Sequence, residues 1–197
     1  MSLADVKYLP ETPAHDPEIE AINDEAFGPG RFVLAAYKIR EAGGHDRSMS
    51  FVAVKDETVI ASVRMTRVAA GAGRAMMLGP LAVRPAFKNL GIGRRLVAIA
   101  LEAGAPAVML VGDEPYYGPL GFKRFPRGQI TMPRPVDLDR LLHHEIRPGA
   151  VARFVGEVCH ADTARVADLA QVAVRASAIP QSSIDPVIQV APQQRAS

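Results

Sequence analysis

Gly91 and Gly93 are separated by a single residue at the point where an apolar segment gives way to a helical pattern. Residues 76–83 are mostly apolar, as a buried strand should be, and the residues after Gly93 place apolar side chains along one helical stripe. Two glycines let the backbone approach a bulky anion, and the first turn of a helix offers unpaired N–H groups at the positive end of its dipole. This strand–loop–helix segment therefore predicts a phosphate-binding loop.

Two common phosphate-binding loops do not fit the segment. The dinucleotide-binding fingerprint requires a third glycine where Leu96 stands, and the nucleotide P-loop requires Lys and Ser or Thr where Arg94 and Arg95 stand. The basic side chains near the glycines are Arg84, Lys88, Arg94 and Arg95. A small cluster of this kind favours a discrete phosphorylated ligand over a long nucleic acid.

The segment that remains is Lys88-Asn89-Leu90-Gly91-Ile92-Gly93. It resembles the pyrophosphate loop of the GNAT superfamily of acetyl-CoA-dependent N-acetyltransferases, in which Arg or Gln is followed by x-x-Gly-x-Gly or Ala. Lys88 departs from the usual first residue, which changes one side-chain contact and leaves the backbone cradle in place. The resemblance extends over residues 3–156 and implies acetyl-CoA as the co-substrate.

A second segment adds to the resemblance. Residues 112–122 read Gly-Asp-Glu-Pro-Tyr-Tyr-Gly-Pro-Leu-Gly-Phe, similar to the family signature in which an aromatic–Tyr pair precedes x-x-Leu-Gly-Phe. The register places Tyr117 on the family's catalytic tyrosine, with Tyr116 as its more buried neighbour. A phenol with a pKa of about 10 can protonate a departing thiolate and still be neutral at pH 7. We therefore expect Tyr117 to be the general acid, with a purely packing role as the alternative.

The resemblance also implies where acetyl-CoA binds. In the family the pantetheine arm lies beside a central strand that splays from its neighbour. Gly79-Pro80 falls where that opening would be. Proline has no N–H to donate to a strand ladder, so pairing is expected to lapse there. A structural bulge alone is the alternative. Backbone N–H groups of residues 81–83 are candidates to stabilise the oxyanion. The expected acetyl-CoA contacts are Leu81, Ala82, Val83, Lys88, Asn89, Leu90, Gly91, Ile92, Gly93, Arg94 and Arg95.

The attacking amine must lose a proton, because an alkylammonium has a pKa near 10. Residues 76–78 of the central strand offer no carboxylate, so we consider Asp113 as the base, with Glu114 as the alternative and helix capping as another role for Asp113. His45 lies in a Gly-rich polar loop and is expected to be solvated.

The acceptor is expected to be a primary amine on a small molecule or a peptide, and the sequence does not identify it. Arg31, Arg127 and Arg134 suggest a carboxylate-bearing acceptor, although ordinary surface arginines are the simpler explanation.

The elements that position these residues follow from periodicity and breakers. Strands are predicted at 6–9, 49–54, 58–68, 75–83, 107–111 and 138–146, and helices at 16–27, capped by Asp16 and ended by Gly28, and at 32–41. Residues 69–74 are predicted to be a loop. The fold class is α/β (α+β), with a GNAT-like mixed, mostly antiparallel sheet of six or seven strands, flanked by helices and with splayed central strands. Residues 1–156 would form this domain, and residues 157–197 a C-terminal extension, part helical and part extended, that could serve a homodimer.

Composition excludes several classes of protein. At 197 residues and 48% hydrophobic content the chain can form one domain with a real core, whereas a net charge of +2, 6% aromatic residues and no Trp argue against a nucleic-acid binder. The single cysteine, Cys159, suits a reducing cytoplasm, and neither a leader nor a membrane span is apparent. No metal is expected, since His143 and His144 point to opposite faces of a strand and Cys159-His160 lacks further ligands.

The sequence therefore predicts a cytoplasmic N-acetyltransferase that moves an acetyl group from acetyl-CoA directly to a primary amine. A covalent enzyme intermediate is not expected, because Cys159 is remote in sequence from both signatures. The alternative is a non-catalytic acyl-CoA-binding or sensor module that kept the loop and lost turnover.

Overall fold

The computed structural model describes residues 5–30 and 35–164. Arg31 and the part of the predicted C-terminal extension after residue 164 lie outside these described residues. The strands are β1 (Lys7–Pro10), β2 (Phe51–Lys55), β3 (Thr58–Ala70), β4 (Gly73–Val83), β5 (Ala107–Val111), β6 (Lys123–Arg124), β7 (Ile130–Thr131), β8 (Leu141–Glu145), β9 (Gly156–Glu157) and β10 (Cys159–His160). The helices are α1 (Asp16–Phe27), α2 (Ala35–Glu41), α3 (Ile92–Glu102) and α4 (Glu114–Tyr117).

A mixed sheet of eight strands forms the centre of the described chain, in the order β1-β2-β3-β4-β5-β8-β6, with β10 paired to β3. Neighbouring strands are antiparallel except β4 and β5, which are parallel because α3 carries the chain back across the sheet between them. The predicted fold class is confirmed, with one strand more than the six or seven expected.

The predicted strands at 49–54 and 58–68 form an antiparallel hairpin, β2 and β3. Asp56 and Glu57 at its turn have φ angles of 48° and 62°, the left-handed pair that a two-residue hairpin turn requires. The predicted loop at residues 69–74 is wrong. β3 continues to Ala70 and β4 begins at Gly73, because the buried end of β3 pairs with both β4 and β10. This tertiary pairing overrides the local glycine signal.

β4 diverges from β5 after a short parallel contact. The two strands pair only at Met76 with Val108 and at Met77 with Met109, although β4 remains paired with β3 as far as Val83. Between β3 and β4 the register shifts where β4 contains Gly79-Pro80, whose peptide bond is cis. The predicted interruption at Gly79-Pro80 is therefore confirmed, and the edge of β4 that faces β5 opens into a cleft.

Helices cover both faces of the sheet near this opening. α3 buries Leu96, Val97 and Ala100 against one face, and α1 buries Ile19 and Ile22 against residues of the opposite face. α3 is thereby fixed directly beside β4, with its N-terminus at the cleft. Among the described helices, none has both the length and the apolar character needed to cross a membrane.

The segment around the predicted domain boundary at residue 156 is part of the fold. β9 pairs with β7, Val158 is buried, and β10 extends the β2 side of the sheet by pairing with β3. The first four residues assigned to the extension, 157–160, thus belong to the same packed structure.

Candidate active site

The diverging strands enclose a cleft of about 1470 Å³. Its walls come from α1, α2, β4, the loop before α3, the first turn of α3, and α4. Sites for a single small ligand typically have volumes of about 300–1,000 Å³, so this cleft has room for a cofactor and a second molecule. It lies outside the carboxyl end of β5, the usual place for a ligand in an open sheet with parallel strands.

The predicted phosphate-binding loop forms one end of the cleft. Asn89 and Gly91 have left-handed φ angles of 62° and 81°, and Gly91 is the N-cap of α3. The loop therefore turns sharply and directs the start of α3, with its unpaired N–H groups and positive dipole end, towards the cleft. The predicted contacts that line the cleft are Leu81, Ala82, Val83, Lys88, Asn89, Gly91, Ile92, Gly93 and Arg94.

Three of the predicted basic or loop residues lie outside the cleft lining. Leu90 packs against the hydrophobic core under α3, and Arg95 lies on the exposed face of α3, outside the cleft lining. Arg84, the first member of the predicted basic cluster, instead lies near Glu18 and Glu25 of α1, at 3.8 and 3.6 Å. Adjacent residues of an α-helix point in different directions. Because Arg94 faces the cleft, its neighbour Arg95 faces away from it.

The two tyrosines of α4 both line the cleft, but their burial is the reverse of the expected order. Tyr117 packs against the core and makes an edge contact with Phe122, with ring centroids 5.6 Å apart. Burial, together with the nearby Tyr116 and Asp113, raises the pKa of Tyr117 far above its ordinary value, whereas burial raises the pKa of Tyr116 less. Within the described chain the Tyr117 hydroxyl makes no hydrogen bond.

Tyr116 links α4 to the phosphate-binding loop. Arg94 stacks over its ring at 5.6 Å, and a Cβ added at Gly93 would lie 2.7 Å from the Tyr116 hydroxyl oxygen. The absence of a side chain at Gly93 therefore permits this close approach, and any larger residue here would require the Tyr116 ring to shift. The tyrosine pair is held at the same end of the cleft as the loop, which brings both predicted signatures into one site.

Asp113 is the N-cap of α4 and lines the cleft, yet its side chain makes no capping hydrogen bond. Its carboxylate is 73% exposed and pairs with Nε of Arg140 at 3.1 Å. The alternative capping role is thus not observed. Glu114, the other carboxylate considered as base, pairs with Arg124 on β6.

A second wall of the cleft, formed by α1, α2, β3 and the loop after α2, carries polar residues, of which only His45 was considered from the sequence. Asn23, Arg40, His45 and Arg64 all line the cleft here. In contrast, Arg127 is 72% exposed and pairs with Asp139, and it lies outside the cleft lining, as Arg134 does.

A buried carboxylate organises this wall. Glu11 accepts hydrogen bonds from Arg64 and Arg47, and its Oε1 lies 2.7 Å from Nε2 of His45. Asp16, predicted as a helix cap, is the first residue of α1 and instead binds Arg47 and Arg64. His45 is consequently not solvated, as the sequence suggested, but fixed by Glu11 at the edge of the cleft.

The Glu11 cluster should make the stability of the fold decrease at acidic pH. Burial by itself raises the pKa of the Glu11 carboxyl, but hydrogen bonds from His45 and Arg64 outweigh it and hold the pKa below its ordinary value. A depressed folded-state pKa gives stability that is present above the unfolded pKa and is lost as pH falls through the folded pKa.

We expect Glu11→Gln to lower the free energy of unfolding at pH 7 by about 1.5–3 kcal/mol, the range for a hydrogen bond to a charged group. Urea unfolding should show the wild type and the variant converging below about pH 4, where the carboxylate is protonated in the unfolded chain. Glu102→Gln, at an exposed position of α3, should change stability by no more than about 0.5 kcal/mol. If the wild type and Glu11→Gln differed in free energy of unfolding by the same amount at pH 7 and below about pH 4, this assignment would be contradicted.

Comparisons with known proteins agree with this geometry. The family model "Acetyltransferase (GNAT) family" matches residues 16–115, which is just over half of the chain. The described cleft, with its phosphate-binding loop and splayed strands, lies largely within that range. The chain therefore belongs to the GNAT family of acetyltransferases, acyltransferase enzymes that act with CoA or acetyl-CoA.

Two solved structures show how closely the fold is shared. A GNAT family N-acetyltransferase, YhbS from Escherichia coli in complex with CoA, is 23% identical with a TM-score of 0.68, over 82% of this chain and 92% of that one. A GNAT family acetyltransferase from Brucella melitensis in complex with acetyl-CoA is 26% identical with a TM-score of 0.53, over 73% of this chain and 89% of that one. A search of the curated proteins found no match.

Proposed function

We propose that this protein transfers an acetyl group from acetyl-CoA directly to a primary amine of a small-molecule or peptide acceptor. The observation that carries the proposal is the meeting of three features in one cleft: the phosphate-binding loop, the unpaired edge of β4 and Tyr117. The cleft is also large enough for both acetyl-CoA and an acceptor.

Each feature has a part in the proposed reaction. The α3 N-terminus and Lys88 bind the pyrophosphate, and the free edge of β4 at residues 81–83 supplies N–H groups for the pantetheine arm and for the developing oxyanion. The amine nitrogen forms a bond to the thioester carbonyl carbon, and the carbon–sulfur bond breaks. Tyr117 gives its proton to the departing thiolate, and burial keeps the phenol in its protonated form until that step.

Two further points support direct transfer. Cys159 lies on β10, where its Sγ is 3.7 Å from the carbonyl oxygen of Ala69, and it does not line the cleft. A thiol in this position is poorly placed to carry the acetyl group. Asp113 is our proposed base for the amine proton because it lines the cleft and directly precedes the helix that carries the two tyrosines.

The proposal predicts acetyl-CoA-dependent release of thiol in the presence of an amine and a matching mass increase of one acetyl group on that amine. The panel should contain amino acids, their amides, polyamines and short peptides, each analysed by mass spectrometry. Asp113→Asn should raise the pH at which the rate becomes half-maximal. Without the carboxylate as base, only amine that has already lost its proton to solvent can react. If calorimetry shows that acetyl-CoA binds but no amine is acetylated, the acyl-CoA sensor would be the better description.

A further inference from the structure

Arg40 is the most unusual charged group of the cleft. It projects from α2 into the cleft, where its Nη1 donates a 2.7 Å hydrogen bond to the carbonyl oxygen of Gly79 at the point where β4 leaves β5. Its guanidinium also lies 5.1 Å from the centre of the Tyr37 ring. These contacts fix the side chain beside the segment of β4 that we assign to the thioester.

The charge of Arg40 has no ion-pair partner within residues 5–30 and 35–164. Among the described residues, no carboxylate lies within ion-pair distance of its guanidinium, whereas Arg64 on the same wall binds Glu11, Asp16 and Glu20. Burial, opposed in part by Tyr37 and Glu20, lowers the pKa of Arg40 to about 10. A largely desolvated cation without a counterion is costly, and an anion bound in the cleft would relieve that cost.

A second observation points to a polar ligand on this wall. Asn23 of α1 is only 2% exposed, lines the cleft, and has a carboxamide oxygen without a hydrogen-bond partner among the described residues. Buried polar atoms in proteins are normally paired, so an unpaired one at a ligand cleft indicates a partner supplied by the ligand. The nitrogen of an amine or amide on the acceptor could donate to this oxygen.

The geometry points to an acceptor that carries a carboxylate in addition to its amine, with Arg40 binding the carboxylate and Asn23 accepting a hydrogen bond from a nitrogen of the same molecule. An amino acid, or a peptide in which the carboxylate lies close to the amine, has this chemistry. The inference rests on the proposed acetyl transfer and adds the class of acceptor. Since Nη1 is used by Gly79, the remaining donors of Arg40 are available for a two-point contact with the planar carboxylate.

The test compares matched acceptors: each amino acid of the panel against its carboxamide and its decarboxylated amine, with O-phosphoethanolamine as a phosphate-bearing amine. We expect kcat/KM to be about tenfold to a hundredfold higher for the carboxylate form, as expected for a hydrogen-bonded charged group. Equal rates for the carboxylate and amide forms would overturn the inference and leave the proposed transferase standing. A preference for the phosphate-bearing amine would overturn the carboxylate assignment.

Variants then assign the preference to Arg40. Arg40→Met should remove the preference for the carboxylate form. Because the variant also loses the hydrogen bond to Gly79, its acetyl-CoA affinity is measured separately by calorimetry, and the test is the ratio of kcat/KM for the carboxylate form to kcat/KM for the amide form. Arg40→Lys, which keeps the charge but loses the fork of donors, should retain part of the preference. Arg127→Met, at an exposed arginine outside the cleft, is the matched control and should behave as the wild type. A preference that survives in folded Arg40→Met would contradict the role of Arg40.

Asn23 gives an independent check. Asn23→Leu removes the buried carboxamide oxygen that has no partner among the described residues and puts an apolar group of similar size in its place, so thermal stability should be maintained or increased. At the same time KM for the best acceptor should rise about tenfold or more, the value of a lost hydrogen bond to a charged group. A variant that loses stability and keeps its KM would show that Asn23 is structural only.

Discussion

Tyr117→Phe is expected to lower kcat by about 10²- to 10⁴-fold, the usual contribution of a positioned general acid. The phenyl ring can keep the packing against Phe122 and Gly112, so the fold and the affinity for acetyl-CoA should change little. Only the proton donor is lost, and the thiolate must then leave without being protonated. Steady-state kinetics with the best amine, together with calorimetric titration of acetyl-CoA, separates the two quantities.

Tyr116→Phe is the matched control for this prediction. The Tyr116 hydroxyl lies against Gly93 and beneath Arg94, at the loop end of the cleft, and we expect its removal to cost less than about tenfold in kcat. The opposite ranking of the two variants would show that Tyr116 is the acid. An unchanged kcat in both would mean that the thiolate leaves without help from either phenol.

The pH dependence gives a further test of the same residue. Because burial raises the pKa of Tyr117 above its ordinary value of about 10, the phenol should keep its proton throughout the range from pH 7 to pH 10. The wild type should therefore show no loss of kcat from tyrosine ionisation in that range. Tyr117→Phe should give a profile of the same shape at a lower rate, and a fall in wild-type kcat near pH 8–9 that is absent from the variant would contradict the assignment.

The parts of the site that were predictable depend on neighbours in sequence. The glycine spacing around Gly91 specifies a turn, the stripe of α3 specifies which side of the helix packs, and Pro80 cannot donate to a ladder wherever it is placed in a strand. Each of these signals acts within one or two elements. The loop and the helix after it could therefore be predicted from local signals, whereas the opening of β4 was expected from the resemblance to the family, with Pro80 in agreement.

The second wall of the cleft, to which we assign the acceptor, could not be predicted, because it depends on contacts between residues that are distant in sequence. Glu11 and Arg64 are 53 residues apart, and Arg40 and Gly79 are 39 residues apart, yet each pair is in hydrogen-bond contact. An arginine in a helical sequence gives no indication of whether it will meet a carboxylate, water or a cleft. For the same reason Arg127 was an equally good candidate from sequence, although the fold gives it Asp139 as a partner.

Gly91→Asp should abolish measurable binding of CoA, with a loss of affinity of at least about 100-fold, because it places a negative charge beside the pyrophosphate position at the N-terminus of α3. The φ angle of 81° at Gly91 can be adopted by Asn and Asp more easily than by other residues, and a Cβ at this position meets no protein atom within 4 Å. The added side chain consequently extends into open space at the cleft rather than into the fold. Thermal unfolding should confirm that the variant remains folded.

Gly91→Asn is the matched variant, since it has the shape of the aspartate and lacks its charge. We expect Gly91→Asn to weaken CoA binding by about tenfold or less, which assigns the remaining loss in Gly91→Asp to electrostatic repulsion. That remaining gap should narrow when calorimetry is repeated at high salt, because the Debye length falls from about 10 Å at 0.1 M to about 3 Å at 1 M. A gap that does not respond to salt, or two variants that bind CoA equally well, would show that the phosphate groups do not lie at this helix terminus.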